Sequence, residues 1–216
     1  MPGIGRVCGE YFRLGLMREL EDALGRAGLS PIAGIDEAGR GCLAGPVVAA
    51  AVIPGEAVLP GIDDSKKIPA ELRDVLAEAV RATACAWAVV AVPASAIDAG
   101  DILRATRLAM LGALNQLATR PGAVVTDAVA LPECGLPCLA LVKGDALAYA
   151  VACASILAKS ARDRMMVELD RRYPHYGFAR HKGYGAPEHL AALERHGPSP
   201  VHRLTFGPVV PRREAA

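Results

Sequence analysis

Leu16, Leu20, Leu24 and Ala27 recur at helical spacing between Glu10 and Ala27, and the run stops at Gly28, which predicts a helix ahead of the rest. A short apolar strand follows at Ile32, Ala33 and Ile35. Val47 to Ile53 reads as a second, continuously apolar strand, forming a hairpin with the first across Gly39, Gly41 and Gly45. In Asp63-Asp64-Ser65-Lys66-Lys67-Ile68-Pro69 the serine or the aspartates can cap, and Pro69 can open, a helix running to Thr83. Cys85 to Val92 is a third strand, and Ile102 to Ala118 a helix that offers Leu103, Leu111 and Leu114 to a core. Ala123 to Thr126 and Leu139 to Val142 are two further short strands. From Asp145 an Ala-rich helix continues to Arg172. Beyond Pro174 come a loop with Tyr176, Phe178, His181, Lys182 and Tyr184, a helix from Pro187 to Arg195, an irregular stretch from Pro198 to Phe206, and a tail from Arg212 to Ala216.

The polar residues that interrupt this pattern carry the candidate chemistry. Asp36 and Glu37 stand together at the end of the first strand. Neighbouring strand side chains point to opposite faces, so both can face one site only if the regular strand ends about where they sit. Two anions held close repel each other and suggest a bound cation. Asp127 closes the fourth strand and can meet Asp36 if the two strands are parallel neighbours, because ligands gather outside the carboxyl ends of such strands. Asp145 lies at the start of the long helix, where an N-cap would account for it equally well. Ser155, Lys159 and Arg162 share one face of that helix and can approach the same site. Gly39-Arg40-Gly41-Cys42-Leu43-Ala44-Gly45 approaches a dinucleotide fingerprint, but its third glycine comes one residue late and an extended run, not a helix, follows. A nicotinamide-cofactor enzyme is therefore a weak second reading. A zinc enzyme is weaker still, since there is no HExxH, and Cys134 and Cys138 have no second pair.

Composition narrows the classes further. The chain has 216 residues, 52% hydrophobic and 22% charged, enough for one sizeable core and incompatible with general disorder. No apolar run is long enough to span a bilayer, and the segment after Met1 lacks a signal-peptide core. Six cysteines without a CxxC pair read as reduced thiols, which points to the cytoplasm. Net charge is only +1, yet acidic residues prevail up to Val142 and basic ones from Lys143 onward. All five histidines and more than half of the aromatics lie between Tyr173 and Phe206, a mixture suited to a nucleic-acid backbone and sugar. Lys66, Lys143 and Lys182 are candidate phosphate contacts.

GIDEAGRGCLAGPV, DSKK, ILRATRLAM, VKGDA with ASILAKSARDRMM, and YGFARHKGYGAPEHL followed by HRLTFGP occur in this order from Ile32 to Val209. Together they closely resemble bacterial ribonuclease HII, the type 2 ribonuclease H family. The resemblance implies an α/β, RNase H-like fold, a five-stranded mixed sheet flanked by helices. Residues 31–210 would be the catalytic domain with its C-terminal helical segment, residues 1–30 an N-terminal helical extension and residues 211–216 a tail. It implies an endonuclease that hydrolyses the RNA strand of RNA–DNA hybrids and cuts 5′ of single ribonucleotides embedded in duplex DNA, a DNA-repair activity. The catalytic and metal-binding carboxylates would be Asp36, Glu37, Asp127 and Asp145. They would hold two Mg²⁺ or Mn²⁺ ions about 3.5–4 Å apart and leave 3′-hydroxyl and 5′-phosphate ends. The backbone of Gly39, Arg40 and Gly41 would lie against the 2′-hydroxyl that separates RNA from DNA, and Tyr184 would pack on the adjoining sugar.

One segment departs from the family pattern. A DGNRLP-like run is common after the fourth strand, whereas Ala128, Val129 and Ala130 follow Asp127 here. An inactive nucleic-acid-binding module of the same fold is the alternative function, weakened by four retained anions that would oppose phosphate binding. Nothing in the sequence demands an oligomer, and a monomer is the default.

Overall fold

The computed structural model describes residues 4–207 and residue 209, so the expected tail at Arg212–Ala216 lies outside the described residues. Its elements in chain order are α1 (Ile4–Arg26), β1 (Ile32–Ala38), β2 (Val47–Ile53), α2 (Ala70–Thr83), β3 (Ala86–Val92), α3 (Ala94–Asp98), α4 (Ile102–Asn115), β4 (Ala123–Asp127), β5 (Cys138–Leu141), α5 (Gly144–Leu147), α6 (Tyr149–Arg172), α7 (Phe178–His181) and α8 (Pro187–His196). The strands form one mixed sheet in the order β3-β2-β1-β4-β5. β1 runs antiparallel to β2 and parallel to β4, with Ile35 opposite Thr126, so Asp36 and Asp127 leave neighbouring strands at the same carboxyl end.

Both faces of the sheet are covered, which is why β2 is apolar at every position instead of alternating. On one face Ala33, Ile35, Ala49, Ala51 and Ile53 pack with Ala109, Met110 and Ala113 of α4. On the other, Ala50 and Val52 meet Ala152, Cys153, Ile156 and Leu157 of α6, with Leu14 and Met17 of α1 and Leu76, Ala77 and Val80 of α2 outside them. The first half of α6 is buried nearly all round, hence its apolar residues have no preferred side. Its second half reaches a separate cluster in which Met166 packs with Leu43, Tyr176, Phe178 and Leu193. Gly34 sets the spacing between sheet and helix, because a Cβ there would run into the backbone of Ala150 and Val151.

Several expected boundaries differ. β1 continues through Ala38, paired with Val48, because Asp36 and Glu37 keep their ladder partners Ala50 and Ala49. The regular strand thus ends one residue past Glu37, and both acids line one cleft at that end. The helix expected to run unbroken from Asp145 breaks at Ala148, which is extended (φ −125°, ψ 125°). The backbone amide of Ala150 in the new first turn is taken by Glu21 of α1 at 2.6 Å. No side chain caps α2. Asp63 and Asp64 instead accept amide bonds within their own turn, and Ser65 turns toward Ser155. α3 and α7 were not apparent from periodicity, being only a turn or so long.

Two substitutions of opposite sign test this packing. Gly34→Ala is expected to destabilise by about 3 kcal/mol, as overpacking against backbone cannot relax through a rotamer change. Ala128, the residue after Asp127, sits at φ +54°, so Ala128→Gly is expected to stabilise by about 1 kcal/mol. Urea unfolding of both variants checks the signs.

Candidate active site

Asp36, Asp127 and Asp145 each offer a carboxylate oxygen, and the three oxygens lie within 4.8 Å of one another. Three different structural devices bring them there. Asp36 comes from the end of β1, 4% exposed, and accepts the amide of Glu37 at 2.7 Å. Asp127 ends β4 and is oriented by the amide of Gly144 at 2.8 Å. Asp145 is carried in by the left-handed turn at Lys143 (φ +61°) and caps nothing, which removes the N-cap explanation for it.

The price of this convergence is electrostatic. Burial first, then the nearby charges of Glu37 and Asp127, push the Asp36 carboxyl well above the usual range, while Ser155 offsets part of this by hydrogen bonding. Burial, Asp64 and Asp127 raise Asp145 as well. Glu37 is raised chiefly by burial. Arg40 answers one of its oxygens at 3.1 Å, and the other, Oε2, is buried without a hydrogen-bond partner among the described residues. Buried acceptors are rarely left unpaired, so an orphaned carboxylate oxygen beside three converging aspartates fits oxygen-loving divalent cations. The residues present thus suit Mg²⁺ or Mn²⁺ by chemistry and by arrangement.

The same cleft is lined by Asp36, Glu37, Gly39, Arg40, Gly41, Ser65, Lys66, Asp127, Ser155, Lys159 and Tyr184. Tyr184 is 45% exposed and Lys159 Nζ stands 6.0 Å from its ring centroid. Lys66 Nζ lies 3.8 Å from Asp145 and 3.9 Å from Asp64. Burial works against its charge, but Asp64, Asp145, Asp36 and Asp127 outweigh that and raise its pKa. Ser155 and Lys159 face the cleft as their helical spacing suggests.

The loop from Gly39 to Pro46 is held from behind by two fully buried arginines. Arg203 donates to the carbonyls of Gly39 (2.7 Å), Arg40 (2.8 Å) and Gly45 (3.0 Å). Arg162 donates to those of Ala44, Pro46 and Lys182. Gly39 lies so close to the Arg162 side chain that a Cβ would collide with it. Leu43 N–H donates to Gly183 O at 2.7 Å, so the turn and the segment bearing Tyr184 form one unit. Burial lowers the Arg203 pKa to about 10, still high enough for a permanent charge at neutral pH.

Lys182 does not join the carboxylates. Its ammonium bonds Ala179 O, and it borders a neighbouring groove with Arg73, Asp163 and Arg171. Lys143 is exposed and outside the cleft lining; its left-handed backbone, not its charge, is what serves Asp145. Sequence reasoning missed Arg203 and the site role of Ser65. Ser65 lay within a motif that looked like a helix cap. Arg203 gave no local signal, because its carbonyl partners are 158 to 164 residues away.

A sequence model described as Ribonuclease HII matches residues 33–209. The ribonuclease HII of Geobacillus kaustophilus is 54% identical over 195 residues, 90% of this chain and 74% of that protein. That of Chloroflexus aurantiacus is 50% identical over 197 residues, 88% and 93% of the respective chains. Among solved structures, ribonuclease H2 from Pyrococcus horikoshii OT3 superposes with a TM-score of 0.72 at 26% identity, covering 82% of this chain and 94% of that one. Matched from β1 to the C-terminal segment that clamps its active-site turn, the chain belongs to the ribonuclease HII family and is a metal-dependent hydrolase that cleaves the RNA strand of RNA–DNA hybrids.

Proposed function

We propose that this enzyme also incises duplex DNA 5′ of a single embedded ribonucleotide, using two divalent ions held by Asp36, Asp127, Asp145 and Glu37. The observation that carries this reading is that the Gly39–Gly41 turn and the Tyr184 ring line the same cleft as Asp36, Glu37 and Asp127. Clamped by Arg203, with Arg162 holding the loop just beyond at Ala44 and Pro46, the Gly39–Gly41 backbone offers fixed donors and acceptors to a neutral hydroxyl, which suits recognition of one ribose. Tyr184 presents a ring to the next sugar, where a deoxyribose lets it approach closely. Arg40, Lys66 and Lys159 supply positive charge for the phosphates on either side, and Lys143 stays a more distant candidate. When bound, the ions would lower the pKa of an attacking water and steady the leaving 3′ oxygen, giving 3′-hydroxyl and 5′-phosphate products. Asp127 keeps its oxygen aimed through Gly144 N–H, and Ser155 and Ser65, 2.9 Å apart, support Asp36. Among the described residues no helix is long and apolar enough to cross a membrane. The six free cysteines suit a reducing, cytoplasmic setting.

A labelled DNA duplex with one ribonucleotide is expected to be cut once, 5′ of it, with Mg²⁺ or Mn²⁺ and not with EDTA. Asp145→Asn is expected to reduce the rate at least ~100-fold, since loss of mere supporting groups around a metal already costs 10–100-fold. Binding of the duplex without any cut by the folded wild-type protein would instead favour a binding module disabled near Ala128.

The raised carboxyl pKa values give a second test, on stability. An acid whose folded pKa lies above its unfolded value destabilises the fold as pH rises through that window, and the loss is complete above it. At neutral pH without metal, Asp36→Asn is therefore expected to be more stable than wild type by about 1–3 kcal/mol. The gap should close as pH falls toward the ordinary carboxylate range, and added Mn²⁺ should reverse it by stabilising only the wild type. Denaturant unfolding at several pH values, with and without Mn²⁺, checks all three signs.

A further inference from the structure

Behind Tyr184 lies a buried histidine pair that the chemistry described so far does not use. His189 is 0% and His202 1% exposed, and their Nε2 atoms are 2.9 Å apart. The proton positions follow from the neighbours. The backbone amide of Ser199 donates to His202 Nδ1 at 2.9 Å, and an amide can only donate, so Nδ1 is the acceptor and the proton sits on Nε2. His202 Nε2–H then donates to His189 Nε2, which leaves the His189 proton on Nδ1, 2.8 Å from the carbonyl oxygen of Tyr184. The Ser199 hydroxyl, 2.8 Å from His202 Nδ1, reinforces the starting point. One chain of donors thus runs in a single direction from Ser199 to the peptide of Tyr184. Both rings must be neutral for it, and burial lowers both pKa values, that of His202 to about 4.

The Lys182–Gly183 peptide, one removed from the tyrosine, is held by a third imidazole, and Tyr184 N–H itself donates to His181 O at 2.9 Å. Gly183 N–H donates to His181 Nδ1 at 3.2 Å, while His181 Nε2–H donates to Tyr176 O at 2.7 Å, and the ring stacks on His189 with centroids 4.5 Å apart. The backbone needs such anchoring, because Lys182 and Gly183 are both left-handed (φ +52° and +82°) immediately before the tyrosine.

We propose that His189 and His202 are positioning residues for Tyr184: their relay fixes the Tyr184 carbonyl, and so the direction in which the ring meets the sugar at the ribose-to-deoxyribose junction. The inference rests on the reading of Tyr184 given above. It makes selectivity for embedded ribonucleotides depend on a group that never touches nucleic acid. Asn and Gln separate this role from bulk and polarity. An Asn amide places its N–H where Nδ1 stands, facing Tyr184 O, whereas a Gln amide reaches the Nε2 position and answers His202 alone.

The readout is the ratio of kcat/KM on a duplex with one embedded ribonucleotide to kcat/KM on a continuous RNA–DNA hybrid, taken where thermal unfolding shows each variant folded. Tyr184→Ala and His189→Gln are each expected to lower the ratio about tenfold, the scale of losing one aromatic platform. His189→Asn should stay within about twofold of wild type, and the Tyr184→Ala/His189→Gln double variant should fall no further than Tyr184→Ala. Equal losses in Asn and Gln, or full additivity in the double variant, would overturn the proposal. An unchanged ratio in Tyr184→Ala would overturn the junction reading instead. The relay is then judged by hydrogen exchange of the amides from Gly183 to Ala186, where faster exchange in Gln than in Asn upholds it and equal exchange refutes it.

Discussion

Three aspartates, two buried and one half-buried, cannot sit with oxygens within 4.8 Å as charged groups unless something positive joins them, and the fold is arranged around that constraint. The parallel pairing of β1 with β4 supplies two of the carboxylates, and the broken helix after β5 swings in the third. The protein's own cations do not resolve the repulsion. Lys66 is 74% exposed and 3.8 Å from Asp145, and Arg40 serves Glu37, so the interior of the cluster is left to an exogenous ion. Stability is given up at this spot in exchange for affinity toward divalent metal, a trade expected wherever a site must wait preorganised.

The loop beside the carboxylates is built on a different principle. Where Asp36 and Asp127 are held by strand ends, the loop between β1 and β2 is held by carbonyls captured from behind. Arg162 on α6 and Arg203 after α8 converge on the loop between β1 and β2 from elements distant in sequence. Planar, five-donor guanidinium groups suit this, because one buried side chain satisfies several carbonyls that the turn leaves unpaired. The C-terminal helical segment thereby supports the candidate site, although among the described residues it contributes only Tyr184 to the cleft surface.

The sequence made the sheet and the meeting of Asp36 with Asp127 legible because those depend on short-range signals: apolar runs, glycine breaks and acids at strand ends. Parallel pairing of the first and fourth strands was the one condition needed for Asp36 and Asp127 to meet, and it holds. The break at Ala148 was not legible, since Tyr149 to Ala158 and the residues before it share one helical composition, and the break is tied to tertiary partners such as Glu21. Lys182 drew attention by standing beside Tyr184, but its left-handed backbone sends the side chain back to Ala179. Ser65 and Arg203 act through partners on other elements, which no local pattern encodes. The histidines that looked like a basic nucleic-acid face are in part a neutral interior, with His189 and His202 buried and bonded to each other.

The most direct measurement is the anomalous X-ray signal of Mn²⁺ in crystals of the wild-type protein and of Asp36→Asn. Manganese peaks in contact with Asp36, Asp127 and Asp145 in the wild type, and lost or weakened in the variant, are the expected result. Crystals that take up manganese elsewhere, or show the three aspartates bonded to one another through protons with no ion between them, would contradict the claim that this cluster exists to hold metal.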